Sequence, residues 1–173
     1  YKVELLVDGD FPSYTFDESV PSVTVDIATL KKVFDVNSSA IANEMLMPCL
    51  TGFNVGDNVV TTDGVKMCLN STSVLPNERA LISQDLAELL NGLSGDKVKV
   101  QKDGVKLLFT TPNVIVFGPE LDGIEDFPDI SSVLEIPYDD HVEVKKQALL
   151  DTLDRLSLFV DPVDNNGVRL TFK

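Results

Sequence analysis

Residues 117–130 read FGPELDGIEDFPDI and residues 1–14 read YKVELLVDGDFPSY; a slide of 116 positions pairs Glu4 with Glu120, Leu5 with Leu121, Asp10 with Asp126, Phe11 with Phe127 and Pro12 with Pro128. Five identities in fourteen places mark one passage written twice. The order downstream repeats as well. Val23-Thr24-Val25 and Val142-Glu143-Val144 each read as a strand ahead of a helix bearing lysines and leucines, and a glycine-led strand follows each, Gly52-Phe53-Asn54-Val55 and Gly167-Val168-Arg169-Leu170. The period far exceeds the roughly 20 to 50 residues of solenoid repeats, so the repeated unit is a whole domain. The expected organisation is the end of a first unit over residues 1–20, a complete unit over 21–138 and the beginning of a third over 139–173. The chain is expected to start and stop inside a repeat.

Within the complete unit, alternation over residues 22–25 predicts a strand, and Asp26 is placed to cap a helix with Leu30, Val33 and Phe34 on one face. Strand-forming sequence follows at residues 50–55, 58–71 and 79–82. Ser83 is a good N-cap for a second helix, whose Leu86, Leu89, Leu90 and Leu93 form an apolar stripe expected in the core, with Gly92 and Gly95 near its end. Residues 97–101 and 105–110 flank the hairpin signal Asp103-Gly104, and residues 114–117 begin another strand. Two helices among many strands, without a crossover helix between each pair, make the unit α+β with antiparallel sheets.

Composition narrows the function. The 173 residues are 43% hydrophobic, enough for a real core, and no apolar run approaches the length of a membrane span. A formal net charge of −14 argues against coating nucleic acid with the whole surface, while leaving room for a small basic lining. Cys49 and Cys68 show no metal-ligand spacing and are expected to be two buried thiols. No cofactor or metal is called for: in the acidic loop over residues 161–166, Val163 and Phe172 stand where calcium would need oxygen ligands. His141 is the sole histidine, with no serine or cysteine motif around it, so no catalytic constellation is read and the protein is not expected to be an enzyme. On these grounds an acidic α+β protein-interaction module stays open, with a small hydrolase of unrecognised site as a weaker class.

Several stretches carry a resemblance. Thr29-Leu30-Lys31-Lys32, Leu50-Thr51-Gly52, Thr62-Asp63-Gly64-Val65-Lys66-Met67, Phe127-Pro128-Asp129 and Gly167-Val168-Arg169-Leu170 stand in an order that is similar to the bacterial-type DNA polymerase sliding clamps, the polymerase III beta subunit family. The resemblance implies the DNA clamp fold in tandem copies, each with two helices packed on antiparallel sheets. It also implies a non-catalytic, cytoplasmic, nucleoid-associated processivity factor, forming a homodimeric ring around duplex DNA. Lys31, Lys32, Lys145, Lys146 and Arg155 are then the DNA-facing candidates, meeting phosphates without reading sequence. Asp85 and Glu88 depart from a basic lining.

The same resemblance implies a hydrophobic pocket for short peptide motifs of the replicative polymerase, clamp loader and repair proteins. Carried over by position, it comprises Leu50, Thr62, Gly64, Lys66, Met67, Pro128 and Val133. Leu50, Met67, Pro128 and Val133 would give apolar walls, and Gly64 would let a backbone approach closely. Cys49 stands where the family often has an aromatic residue, and Val65-Lys66 where His-Arg is frequent.

Overall fold

The computed structural model describes residues 16, 17, 19–43, 47–137, 141–159 and 168–171. The chain divides into two compact units, Tyr1–Pro128 and Asp129–Lys173. The first copy of the repeated passage, residues 1–14, lies outside the described residues, as do Gly167 and the acidic loop at 161–166.

The first unit opens with β1 (Ser22–Asp26) and α1 (Ile27–Ser38), continues through β2 (Gly52–Val55), β3 (Val59–Thr62), β4 (Met67–Asn70) and β5 (Ala80–Ser83) into α2 (Gln84–Asn91), and ends with β6 (Lys97–Asp103), β7 (Lys106–Thr110) and β8 (Ile115–Pro119). All pairings among the described residues are antiparallel. One sheet has the order β1-β6-β7-β8 and the other β4-β3-β2-β5. Alternation drives the first of these: Val25, Val98, Val100, Leu107 and Phe109 turn inward while Lys97 and Lys99 face solvent. The core between sheets and helices takes Leu30, Val33 and Phe34 from α1, and the Phe34 ring meets Phe53 edge-on at 4.8 Å between centroids.

Both helices begin as their caps dictate. The Asp26 carboxylate accepts from the Thr29 backbone N–H at 2.7 Å, and the Ser83 hydroxyl accepts from Leu86 N–H at 3.2 Å. Ser83→Ala is expected to destabilise the unit by about 1 kcal/mol in urea unfolding. The Thr29 N–H also holds the Asp26 carboxyl below its ordinary 3.8. A folded-state value below the unfolded one means that this contribution is complete above 3.8 and is lost as pH falls through the lower folded value. Asp26→Asn, which caps without titrating, should therefore lose less stability than the wild type on acidification, as followed by circular dichroism.

Five expectations change. Residues 58–71 form two strands, because Asp63 Oδ1 accepts from the Val65 and Lys66 N–H groups and Gly64 adopts φ +88°, closing a tight turn. Leu89 is 61% exposed. The buried face of α2 runs through Leu86, Ala87 and Leu90, and at about 100° per residue Leu89 falls well off it. Cys68 is only half-buried, since β4 is a sheet edge, whereas Cys49 is buried. In the second unit, residues 142–144 carry no strand pairing: β1 is held by β6, and β6 has no counterpart among the described residues there. Val168, Arg169 and Leu170 are likewise outside any described strand. Among the described residues the helices of that unit are α3 (Ser131–Leu134) and α4 (Lys146–Ser157).

Candidate peptide-binding surface and its neighbouring cleft

The sheet β4-β3-β2-β5 is covered on both faces. Phe53, Val55 and Val59 look into the core, and Thr61 does too, since its hydroxyl donates to Asn37 O of α1 at 2.7 Å. Asn37 Nδ2 in turn donates to Val59 O and Cys68 O at 3.2 and 3.1 Å, fastening the end of α1 to β3 and β4. By the strand period of two, Val60 and Thr62 point to the opposite face, and Met67 joins them because it pairs directly with Thr62. Leu50, Val60, Leu81 and Phe127 are all buried yet stand apart from the main core.

Four of the sequence-derived pocket residues thus share one hairpin. Thr62 is buried; its hydroxyl donates to Lys66 O at 2.7 Å and accepts from Gly64 N–H at 3.1 Å, so the turn is braced from within. A Cβ on Gly64 would meet nothing within 4 Å, so the glycine serves the turn's positive φ and leaves open space above it. Lys66 is exposed, with its ammonium 3.5 Å from Asp63. Val65 at the tip is 97% exposed. Continuing the β2–β3 register sets Gly52 opposite Thr62, so Leu50, in the short 3-10 turn Pro48–Leu50 just before β2, belongs to the same end of the sheet. Pro128 is exposed beside buried Phe127, and Val133, in the other unit, is exposed on α3.

Beside this end lies a cleft of about 500 Å³ lined by Met47, Pro48, Cys49, Asp122, Gly123 and Asp126. It was not legible as a cleft in the sequence; its one signal was the turn pair Asp122-Gly123, and Gly123 does adopt φ +92°. The Cys49 thiol donates to Asp126 O at 3.6 Å, tying the Pro48–Leu50 turn to the turn Ile124–Asp126. Burial, and then the nearby Asp126 charge, push the Cys49 thiol above its ordinary value, which keeps it an unreactive wall.

Of the DNA-facing candidates, Lys31 is half-buried and Lys32 exposed on α1, beside exposed Asp35; Asp85 and Glu88 are exposed on α2. Lys145 stands at the N-cap of α4, Lys146 is its first residue, and Arg155, in its last turn, donates to Thr152 Oγ1 at 3.2 Å. Among the described residues no group of three or more histidine, cysteine or acidic side chains is placed to hold a metal ion, and no helix is long and apolar enough to cross a membrane.

No family model and no curated protein matches the chain. Solved structures do. The DNA polymerase sliding clamp of Bacillus subtilis superimposes with a TM-score of 0.76 and 23% identity over 90% of this chain and 44% of that one. The chain has the DNA-clamp fold. The DNA polymerase III subunit beta of Pseudomonas aeruginosa gives 0.72 and 22% over 88% of this chain and 45% of its own. A Bartonella birtlesii sliding clamp bound to griselimycin gives 0.72 and 21% over 93% and 47%. The α+β reading and the clamp architecture expected from the sequence are both met. The chain spans less than half the length of these clamps.

Proposed function

We propose that this chain is the central portion of a sliding clamp, a non-catalytic processivity factor that encircles duplex DNA. In this reading it tethers the replicative polymerase, clamp loader and repair proteins through a hydrophobic peptide pocket. The observation that carries it is the clamp fold extending over 90% of the chain; it favours a clamp over an unrelated acidic interaction module. Residues 1–20 would then end a first domain, 21–138 form the second and 139–173 open a third, with the whole protein a ring-shaped homodimer of the cytoplasm, associated with the nucleoid. Leu50, Thr62, Gly64, Lys66, Met67 and Pro128, together with Val133, would receive partner peptides.

Lys31, Lys32, Lys145, Lys146 and Arg155 would face DNA. On α1 and α2, Lys31 and Lys32 stand beside Asp35, Asp85 and Glu88, so these charges taken together are not net positive. Duplex binding by the chain is expected to be weak, independent of sequence and abolished by moderate salt, because few phosphates are neutralised while the body carries −14. Fluorescence anisotropy with two unrelated duplexes, titrated with salt, checks this; tight binding that discriminates between them would remove the encircling role. The pocket is tested by binding of short apolar peptides to the wild-type chain and its Met67 variant.

A further inference from the structure

We infer that the cleft between the Pro48–Leu50 and Ile124–Asp126 turns is a second subsite for the same peptides, taking a lysine- or arginine-bearing flank; the inference rests on the pocket reading above. The cleft's size, about 500 Å³, suits one long side chain and its neighbours. Its lining is of two kinds. Met47, Pro48, Cys49 and Gly123 present apolar surface, and among the described residues the charges in the wall are both carboxylates, Asp122 and Asp126. Among the described residues neither carboxylate has an ion-pair partner.

That combination matches an amphipathic cation. The methylene stem of lysine or arginine packs on apolar surface while its charged head seeks an anion at the edge. An acidic or phosphorylated flank would meet two like charges and is disfavoured by the same wall. The cleft also adjoins the pocket through both chain segments that build it. Cys49 immediately precedes Leu50, and Asp126 is followed by Phe127 and then Pro128. At about 3.3 Å per residue, an extended peptide of a few residues spans both. The flank would therefore add selectivity for basic segments to a pocket whose own walls are apolar.

The chain contains three methionines, Met45, Met47 and Met67, and two of them divide the question: Met67 belongs to the pocket and Met47 to the cleft. Methyl-labelled methionine, assigned with Met→Leu variants, is titrated with peptides that share a Leu-Leu-Phe core between flanks of lysine, serine or glutamate. The lysine-flanked peptide should shift both the Met67 and the Met47 signals and bind about three- to tenfold more tightly than the serine-flanked one at low salt. Asp122→Asn with Asp126→Asn should erase that preference and leave the serine-flanked affinity unchanged. The control pair Asp85→Asn with Glu88→Gln, on α2, should retain the preference. Movement of Met67 without Met47, a preference that survives Asp122→Asn with Asp126→Asn, or one lost equally in the control pair, overturns the subsite and leaves the pocket standing. If neither signal moves with any peptide, the pocket reading fails and the subsite with it.

Discussion

Glu120→Ala is expected to cost roughly 3 kcal/mol of unfolding free energy, by the mechanism that makes one-sided removal of a buried ion pair expensive. Glu120 follows β8 and reaches across to the other sheet. Its Oε2 lies 2.7 Å from the Lys102 ammonium of β6, and its Oε1 accepts from the Leu81 N–H of β5 at 3.1 Å. Lys102 also donates to Arg79 O, and Leu81 O accepts from Leu121 N–H at 2.9 Å. The side chains are only 16% and 7% exposed. Because β5 is an edge strand, residues 120 and 121 complete its hydrogen bonding with one carboxylate and one amide.

Removing the carboxylate leaves a half-buried ammonium short of its counter-ion and a backbone donor without an acceptor. Glu120→Gln keeps an acceptor for Leu81 and should lose less. Lys102→Met combined with Glu120→Gln removes both charges and should recover most of the loss, because two apolar or neutral groups no longer need pairing. Urea unfolding of the four proteins measures this. A loss below about 1 kcal/mol for Glu120→Ala would class the pair with ordinary surface bridges.

This clasp shows what was legible in the sequence and what was not. Glu120, Leu121, Asp126, Phe127 and Pro128 stood out because they recur in the repeated passage, yet recurrence carried no reason. For two of them the structure supplies one in this copy: the Glu120 carboxylate closes the β5 edge, and the Phe127 side chain is buried. Local signals read well where short-range chemistry decides the outcome, as at the Asp26 and Ser83 caps, the β1 alternation and the Asp103-Gly104 hairpin, where Gly104 has φ +57°. They failed where tertiary contacts choose. Leu89 matches helical spacing but falls outside the face that β5 and β8 cover. Both faces of the β4-β3-β2-β5 sheet are roofed by segments distant in sequence, which no periodicity of two encodes. The cleft is made by two turns about 75 positions apart, so its walls met only on folding.

Met67→Ala is expected to weaken binding of apolar peptides by about five- to 150-fold, the range for an interface anchor worth 1 to 3 kcal/mol. Among the pocket residues Met67 gives the clearest test. Leu50 is buried at 5% exposure, so truncating it opens a cavity and lowers stability whatever its role in binding. Met67 is half-buried, lies at the start of the edge strand β4, and stands apart from the main core. Its loss should lower the melting temperature only slightly, while a flexible thioether beside the open space over Gly64 is the kind of surface that adapts to an incoming side chain. Packing and binding then predict different pairs of numbers from one sample. A variant that melts several degrees lower with unchanged peptide affinity makes Met67 a packing residue. A variant with near-normal melting and a Kd raised at least fivefold makes it an anchor, and places the peptide at the hairpin end where Met67 pairs with Thr62.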